Sequence, residues 1–316
     1  MVLSLYRAAH ETPLAEFQEA AVRLLKTIVR FDGCKWGAST IDEQGVLFQS
    51  VHYHEDDPSA AKVYNEVRHE DRAAFWAIDH RGATGNFHFP SFFDRRSGIA
   101  DYTIRFRHSN ALITGLPSPG DERLLKSVSL YRSNPASAFS EQDRFATERL
   151  VPHLDEALTI ARLLAATRLC ANADRQWAIA ICDPSGLLLF VDPQFEALVQ
   201  AEWSPGPLRR LPDAAQAALF RGDEGAQYTG RTLTMRCVRD AGLLFVKARA
   251  RVPADGLSRR EFSIAQIIAK GYTHKEVARL LQLSPATIRN HIQTIHQRLG
   301  VATNAELVAI MMRAGY

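Results

Sequence analysis

The spacing of apolar residues divides this chain into stretches of helical and strand-like period, and the sharpest pattern lies in residues 257–316. There Ile288, Ile292, Ile295 and Leu299 fall on one narrow arc at helical spacing. Ile264, Ile267, Val277, Leu281 and Leu283 supply the surface on which that arc would pack. Helix boundaries stand beside these positions. Ser258 precedes Glu261, Thr273 precedes Glu276, and Thr303 precedes Glu306, each at capping-box spacing. In a capping box two helix-start N–H groups find side-chain acceptors. Ser284-Pro285 marks a fourth start, a cap followed by proline at the first helical position. Gly271, Gly300 and Gly315 stand where three helices should end. The pattern predicts helices over 258–270, 274–281, 285–299 and 304–314, joined by short turns.

Earlier in the chain the period alternates. Leu14, Phe17, Ala21, Leu24, Leu25 and Ile28 predict an amphipathic helix over 12–31. Trp36–Ile41 and Val46–Tyr53 flank the turn residues 42–45 and predict a hairpin. A helical stretch follows over 59–77, then an irregular segment from Gly82 to Asp101 rich in Phe, Gly and His. Two strands, 109–116 and 123–132, are separated by a turn at 117–121. Ser140 caps a long helix to about Cys170, with Pro152 expected to kink or restart it. Its stripe, from Phe145 through Leu150, Leu154 and Leu158 to Ala161 and Ala165, would cover the sheet or, in its second half, a partner copy. Residues 177–249 repeat the theme on a smaller scale. They predict strands at 177–182, 187–191, 231–238 and 243–249, and helices at 193–201 and near 213–220. The fold class expected is an α+β sensor-like region of antiparallel sheets with flanking helices, followed by an all-α four-helix domain. The expected divisions are 1–170, 171–250, a linker at 251–256, and 257–316.

The predicted helix 285–299 has a second face. Opposite the apolar arc lie Ala286, Arg289, Asn290, Gln293 and Gln297, with no acid and no large apolar residue. Arginine suits guanine edges, and asparagine or glutamine suits adenine edges, in the major groove of DNA. Thr287, His291, Thr294 and Arg298 flank that face, where a phosphate backbone would pass. Charge agrees. The chain carries +3 formally, and residues 257–316 hold eight basic and three acidic residues, hence +5, leaving −2 for 1–256. Basic charge is concentrated where phosphate contact requires it.

The runs Leu257–Glu261, Gly271–Ala278, Leu283–His291 and Arg298–Val301 together resemble the LuxR-type helix-turn-helix. The resemblance covers under a fifth of the chain. It implies structural roles for Ser258, Glu261, Gly271, Thr273, Glu276, Ile288 and Ile292. It implies that Lys275, Thr287 and His291 position the duplex, and that Arg289, Asn290 and Gln293 face the groove. Ala265 stands where that family usually has leucine, implying looser packing of the first helix. Asn304 stands where a basic residue is common. Residues 12–165 resemble the GAF-like input regions found ahead of such domains, through Leu130-Tyr131-Arg132, Phe139–Asp143 and Pro152-His153-Leu154. Residues 177–249 resemble a shortened PAS-like module.

Other chemistry is sparse. Trp36, Tyr53, Asp57-Pro58 and Trp76 offer the residue types of an acyl-homoserine lactone site at the wrong spacing. His52 and His54 share a strand face and could ligate a metal, although two solvent-facing imidazoles are the plainer reading; no metal or cofactor is assigned. His88 sits in an aromatic stretch that would serve as a pocket lid or pack as a plain loop. Cys34, Cys170, Cys182 and Cys237 form no zinc or redox spacing. No P-loop, dinucleotide fingerprint, nucleophile elbow or zincin motif is present, so no enzyme is assigned. No apolar run approaches the roughly 20 residues that span a bilayer. Arg7 and His10 interrupt any signal-peptide core, so the expected location is cytoplasmic. The expected function is a DNA-binding transcriptional regulator. Duplex DNA and a second copy of the chain are the expected partners, with a small-molecule effector of unknown identity; RNA polymerase is a further candidate. The alternatives are an adaptor whose helix-turn-helix binds protein, and an enzyme with an uncatalogued N-terminal site.

Overall fold

The computed structural model describes residues 1–118, 121–169, 177–203, 206, 208–220 and 226–313. Cys170, Gly315, Pro119-Gly120 of the predicted turn and parts of the 204–225 stretch lie outside them.

The first sheet is a layer covered on both faces. Helices α1 (Val2–Glu11) and α2 (Leu14–Lys26) lead into the hairpin of β1 (Gly33–Asp42) and β2 (Gly45–His54). Then come α3 (Ala60–Val67), α4 (Arg72–Asp79), β3 (Thr84–His88), α5 (Phe89–Phe92) and α6 (Gly98–Arg105). Strands β4 (Asn110–Leu116) and β5 (Leu124–Arg132) precede the long helix α7 (Glu141–Leu169). The strand order is β2-β1-β5-β4-β3, antiparallel throughout. One face packs on α1, α2 and α7 through Leu5, Phe17, Leu25, Trp36, Leu130 and Leu154. The other packs on α3 to α6 through Val46, Tyr64, Phe89, Ile99 and Tyr102.

One element is added and three expectations are corrected here. Val2–Glu11 is a helix of its own, anchored by buried Leu5 and Ala9. The helix predicted over 12–31 stops at Lys26, and Ile28 is exposed. The segment from Gly82 is not irregular: Thr84–His88 pairs with β4 as the edge strand, burying Phe87 between exposed Asn86 and His88. Helix α7 runs through Pro152 as one helix, with that residue exposed and the remaining backbone ladder and the buried stripe on both sides of it holding the helix together. Its buried stripe includes Val151 and Ala157, while Phe145 is exposed.

The second sheet comprises β6 (Ala178–Cys182), β7 (Leu188–Val191), β8 (Gln227–Thr229), β9 (Leu233–Asp240) and β10 (Leu243–Ala250). Its order is β7-β6-β10-β9-β8; the short edge strand β8 carries too few residues to show a period. Between β7 and β8 lie α8 (Pro193–Glu202) and α9 (Asp213–Leu219), which cover one face through Phe195, Val199, Ala215 and Leu219. On the other face Ile181 and Phe245 meet Ala166 near the end of α7. The second half of the α7 stripe therefore packs within the chain.

Helices α10 (Arg259–Ala269), α11 (His274–Leu280), α12 (Pro285–Leu299) and α13 (Asn304–Arg313) match the predicted ones closely. The Ser258 hydroxyl accepts from the Glu261 N–H at 3.3 Å, and the Glu261 carboxylate accepts from the Ser258 N–H at 2.8 Å. Thr273 and Glu276 do the same at 3.4 and 2.7 Å. Thr303 caps Glu306, whose carboxylate instead takes the Ala302 N–H. Ala265 is fully buried in the four-helix core. Leu307 and Met311 are also fully buried. They hold α13 to its own cluster and offer no surface to a second copy of the chain.

The expected linker is not a free tether. Pro253–Gly256 forms a 3₁₀ turn, and Ala254 is buried in the four-helix core. Asp255 takes both Nη groups of Arg249 at 2.7 Å, with side chains 2% and 0% exposed, and also the Val252 N–H at 2.9 Å. Among the described residues no helix is long and apolar enough to cross a membrane.

Breaking a buried pair leaves an uncompensated charge, which typically costs about 3–5 kcal/mol. Asp255→Ala should therefore lower the urea midpoint and open a protease-sensitive site between residues 250 and 257. An unchanged midpoint together with an intact protease map would show that the pair does not hold this junction.

Candidate nucleic-acid interface

Helices α11 and α12 are joined by a tight turn in which Gln282 takes a left-handed backbone, φ 51°. The Ser284 hydroxyl accepts from the Thr287 N–H at 3.0 Å and starts α12, with Pro285 in its first turn. Gly300 ends it at φ 66°. Ile288, Ile295 and Leu299 are buried, and Ile292 is half-buried beside them. That packing fixes the outward face. Ala286, Arg289, Asn290, Gln293 and Gln297 are all exposed. Among the described residues, no hydrogen bond or ion pair engages the side chains of Arg289, Asn290, Gln293 or Gln297. Lys275 is exposed on α11.

The flank is more committed. The Thr287 hydroxyl shares a hydrogen with Ser284 Oγ at 2.8 Å, and Thr294 donates to the Asn290 carbonyl at 3.0 Å. His291 is half-buried. Arg298 donates to Glu261 at 2.9 Å, tying the end of α12 to the start of α10. Asn304 accepts from or donates to the His296 ring at 3.0 Å, according to tautomer and amide orientation.

A second polar cluster was missed by sequence reasoning. Lys35 is 4% exposed; its Nζ donates to Tyr102 Oη at 2.8 Å and lies 3.4 Å from Asp56 Oδ2. His108 Nε2 meets Asp56 Oδ1 at 3.1 Å, and the His108 ring stacks on Tyr131. Nearby, Asp71 caps α4 and accepts the Tyr64 hydroxyl at 2.9 Å. Burial pushes the Lys35 ammonium down against the pull of Asp56, and pushes the Asp71 carboxyl up. Lys35, Tyr64, Asp71, Tyr102, His108 and Tyr131 border a cavity of about 40 Å³, next to an apolar cleft of about 280 Å³ between α5 and α6. The only signal in the sequence is a lysine between Cys34 and Trp36 in a strand.

The other candidates disperse. Trp36 packs on Phe17 on the opposite sheet face, and neither Tyr53 nor Trp76 lines the cavity, so no lactone-type set assembles. His52 and His54 both bond to Glu19, at 3.2 and 3.0 Å, and so tie β2 to α2. No cluster of three or more metal-ligating side chains occurs among the described residues. His88 bonds to Ser91 within its own turn.

Comparison with known proteins agrees with the C-terminal geometry. Residues 255–311 match the family described as bacterial regulatory proteins, luxR family. The spore germination protein GerE of Bacillus subtilis (strain 168) is 36% identical over 59 residues, 19% of this chain and 80% of that one. An uncharacterized response regulatory protein of Escherichia coli (strain K12), YgeK, is 40% identical over 70 residues, 22% of this chain. The chain spans about half of the length of that relative, 48%. The crystal structure of Escherichia coli SdiA aligns over 99% of this chain and 96% of its own, at 11% identity and a TM-score of 0.38. Neither fold nor ligand follows from a likeness at that level.

The Glu261 carboxylate is the hinge of the committed flank. Burial pushes it up, but the Ser258 hydroxyl and N–H and the Arg298 guanidinium outweigh burial and hold it below 4.5. A lowered carboxyl stabilises fully above the unfolded value and loses that contribution as pH falls through the lowered one. Glu261→Gln keeps a capping side chain but cannot titrate. The gap in urea midpoint between wild type and Glu261→Gln should therefore shrink as pH falls below 4.5. A gap constant with pH would remove the ion pair from the account.

Proposed function

We propose that this chain, which belongs to the luxR family of bacterial regulatory proteins, is a transcriptional regulator that reads duplex DNA through α12. The observation that carries the reading is the exposed face of Arg289, Asn290, Gln293 and Gln297, whose side chains have no partner among the described residues. Lys275, Ala286, Thr287, His291, Thr294 and Arg298 would border the duplex. Residues 257–316 act as the reader, 1–170 as a GAF-like input domain, and 171–250 as a PAS-like module between them. The chain works in the cytoplasm as a homodimer on an inverted repeat, since one recognition helix reads few base pairs. Met312 is exposed on α13 for that contact, with Ile310 half-buried against the four-helix core. The effector is a small molecule held in the apolar cleft between α5 and α6, beside the Lys35–Asp71 cavity, binding one arrangement of the chain better than another.

Arg289→Ala should cost about 1–3 kcal/mol of operator affinity and relax preference at one base pair. Unchanged affinity and unchanged preference would remove Arg289 from the reading set. No retention of the wild type on any duplex, with capture of a protein instead, would favour an adaptor.

The sensory half has its own test. Operator affinity and transcriptional output are compared for the full chain and for residues 251–316 on a neutral dimeriser. The two should differ when an extract containing the effector is added. Identical behaviour under every condition would reduce the N-terminal half to a dimeriser.

A further inference from the structure

A cleft of about 610 Å³ lies between the second sheet and α12, and three arginines line it: Arg231 from the β8–β9 turn, Arg251 just after β10, and Arg298 from α12. All three are exposed. Arg231 donates to the Glu202 carbonyl at 2.8 Å, and Arg251 to the Gly230 carbonyl at 3.1 Å. Neither has a carboxylate within ion-pair distance among the described residues. The nearby acids are turned inward and satisfied. Glu202 is buried and accepts the N–H groups of Arg231 and Thr232 at 2.8 and 2.6 Å, and the Thr232 hydroxyl at 2.7 Å. Asp255 holds Arg249, and Glu261 holds Arg298. The corner carrying Arg231 is shaped closely: a Cβ on Gly230 would sit 2.4 Å from Glu202 Oε1. The cleft thus presents two guanidinium groups, Arg231 and Arg251, without a carboxylate in ion-pair distance among the described residues, beside Arg298, which Glu261 already holds. Two of them are oriented by backbone carbonyls, so less freedom is lost when an anion binds.

We propose that this cleft holds the phosphate backbone of the same duplex that α12 reads, so that Arg231 and Arg251 extend the DNA-binding surface onto the middle module. Arg298 makes the connection. It lines the cleft and lies on the flank of α12 shared by Thr287, His291 and Thr294. A duplex seated on the outward face passes its backbone along that flank, and one phosphate charge falls roughly every 1.7 Å of helix axis. Planar guanidinium forks match phosphate oxygens in pairs. This proposal rests on the DNA-reading function above.

The test uses the full-length chain and a labelled duplex of random sequence, with binding followed over a series of potassium chloride concentrations. Each phosphate contact contributes roughly 0.9 to the slope of log affinity against log salt. The double variant Arg231→Gln/Arg251→Gln should bind more weakly and show a slope shallower by about 1.8, two contacts' worth. The matched pair Arg231→Lys/Arg251→Lys should keep most of the slope, which a merely structural role would not predict. A slope unchanged in the glutamine variant overturns the proposal while leaving α12 as the reader. So does weaker binding at unchanged slope, which is the mark of a distorted fold. If inorganic phosphate alone raises the melting temperature of the wild type but not of the glutamine variant, and the slope does not change, the cleft takes a free anion and the proposal fails. If the wild type does not bind the duplex at all, the DNA-reading function fails with it.

Discussion

The ion pair between Arg249 and Asp255 decides where the reading helix sits. Both side chains are buried and bonded twice to each other, and the pair sits at the end of β10. Next to it, Ala254 is a core residue of the four-helix cluster. Ala248 of the second-sheet core and Ala254 of the four-helix core are only six residues apart, and the pair spans the gap between them. A pair in this setting cannot open without leaving a charge stranded away from water. The reader is accordingly held against the second sheet, and the second sheet touches α7 through Ile181, Phe245 and Ala166. Packed contacts run without interruption from the first sheet to α12. Any rearrangement that begins beside Lys35 has a physical path to the reader that does not depend on a flexible tether.

What could be read from the sequence follows from how local each signal is. The four C-terminal helices are bounded by caps that act within three residues, Ser258 with Glu261 and Thr273 with Glu276. Such signals survive any tertiary context, so the helices were placed to within about one residue. The outward face of α12 followed from its period alone. The edge strand Thr84–His88 has only Phe87 to mark its alternation, and its identity comes from pairing with β4. The turn at Pro253–Gly256 looks like a linker because proline and glycine punctuate it. Its role rests on a partner, Arg249, whose burial no spacing reveals. The arginines of the cleft were illegible for the same reason: Arg231 and Arg298 are 67 residues apart in sequence and share only a place in the fold.

Lys35 shows the same limit from the other side. In β1 the neighbours Cys34 and Trp36 point into the core formed with α1, α2 and α7. Alternation sends Lys35 to the opposite face. In a half-exposed sheet that would be water, and the lysine would mean nothing. Here α3 to α6 cover that face, so the ammonium lies among Phe48, Tyr102 and Tyr131, within 5.7, 5.4 and 5.2 Å of their ring centres. Recognising the charge as interior required knowing that the segment from 82 to 105 folds back as β3, α5 and α6. The unread segment and the unread site are one problem.

The polar groups of this chain sort into two populations, and the contrast favours nucleic acid over protein as the partner of α12. In the interior the carboxylates are bonded: Asp71 to Tyr64, Asp56 to His108, Asp255 to Arg249, Glu202 to the corner at 230–232. On α12 the outward side chains are left without partners. A protein-binding surface usually centres on large apolar or aromatic side chains that become dry on contact, with polar groups at its rim. The outward face of α12 has the reverse composition, with amides and an arginine at its centre and Ala286 its one apolar residue. The exposed apolar residues nearby, Tyr272 and Leu280, stand on or beside α11 and not on this face. Unpaired amide and guanidinium groups gain most from a surface already lined with fixed donors and acceptors, and base edges in a major groove are such a surface.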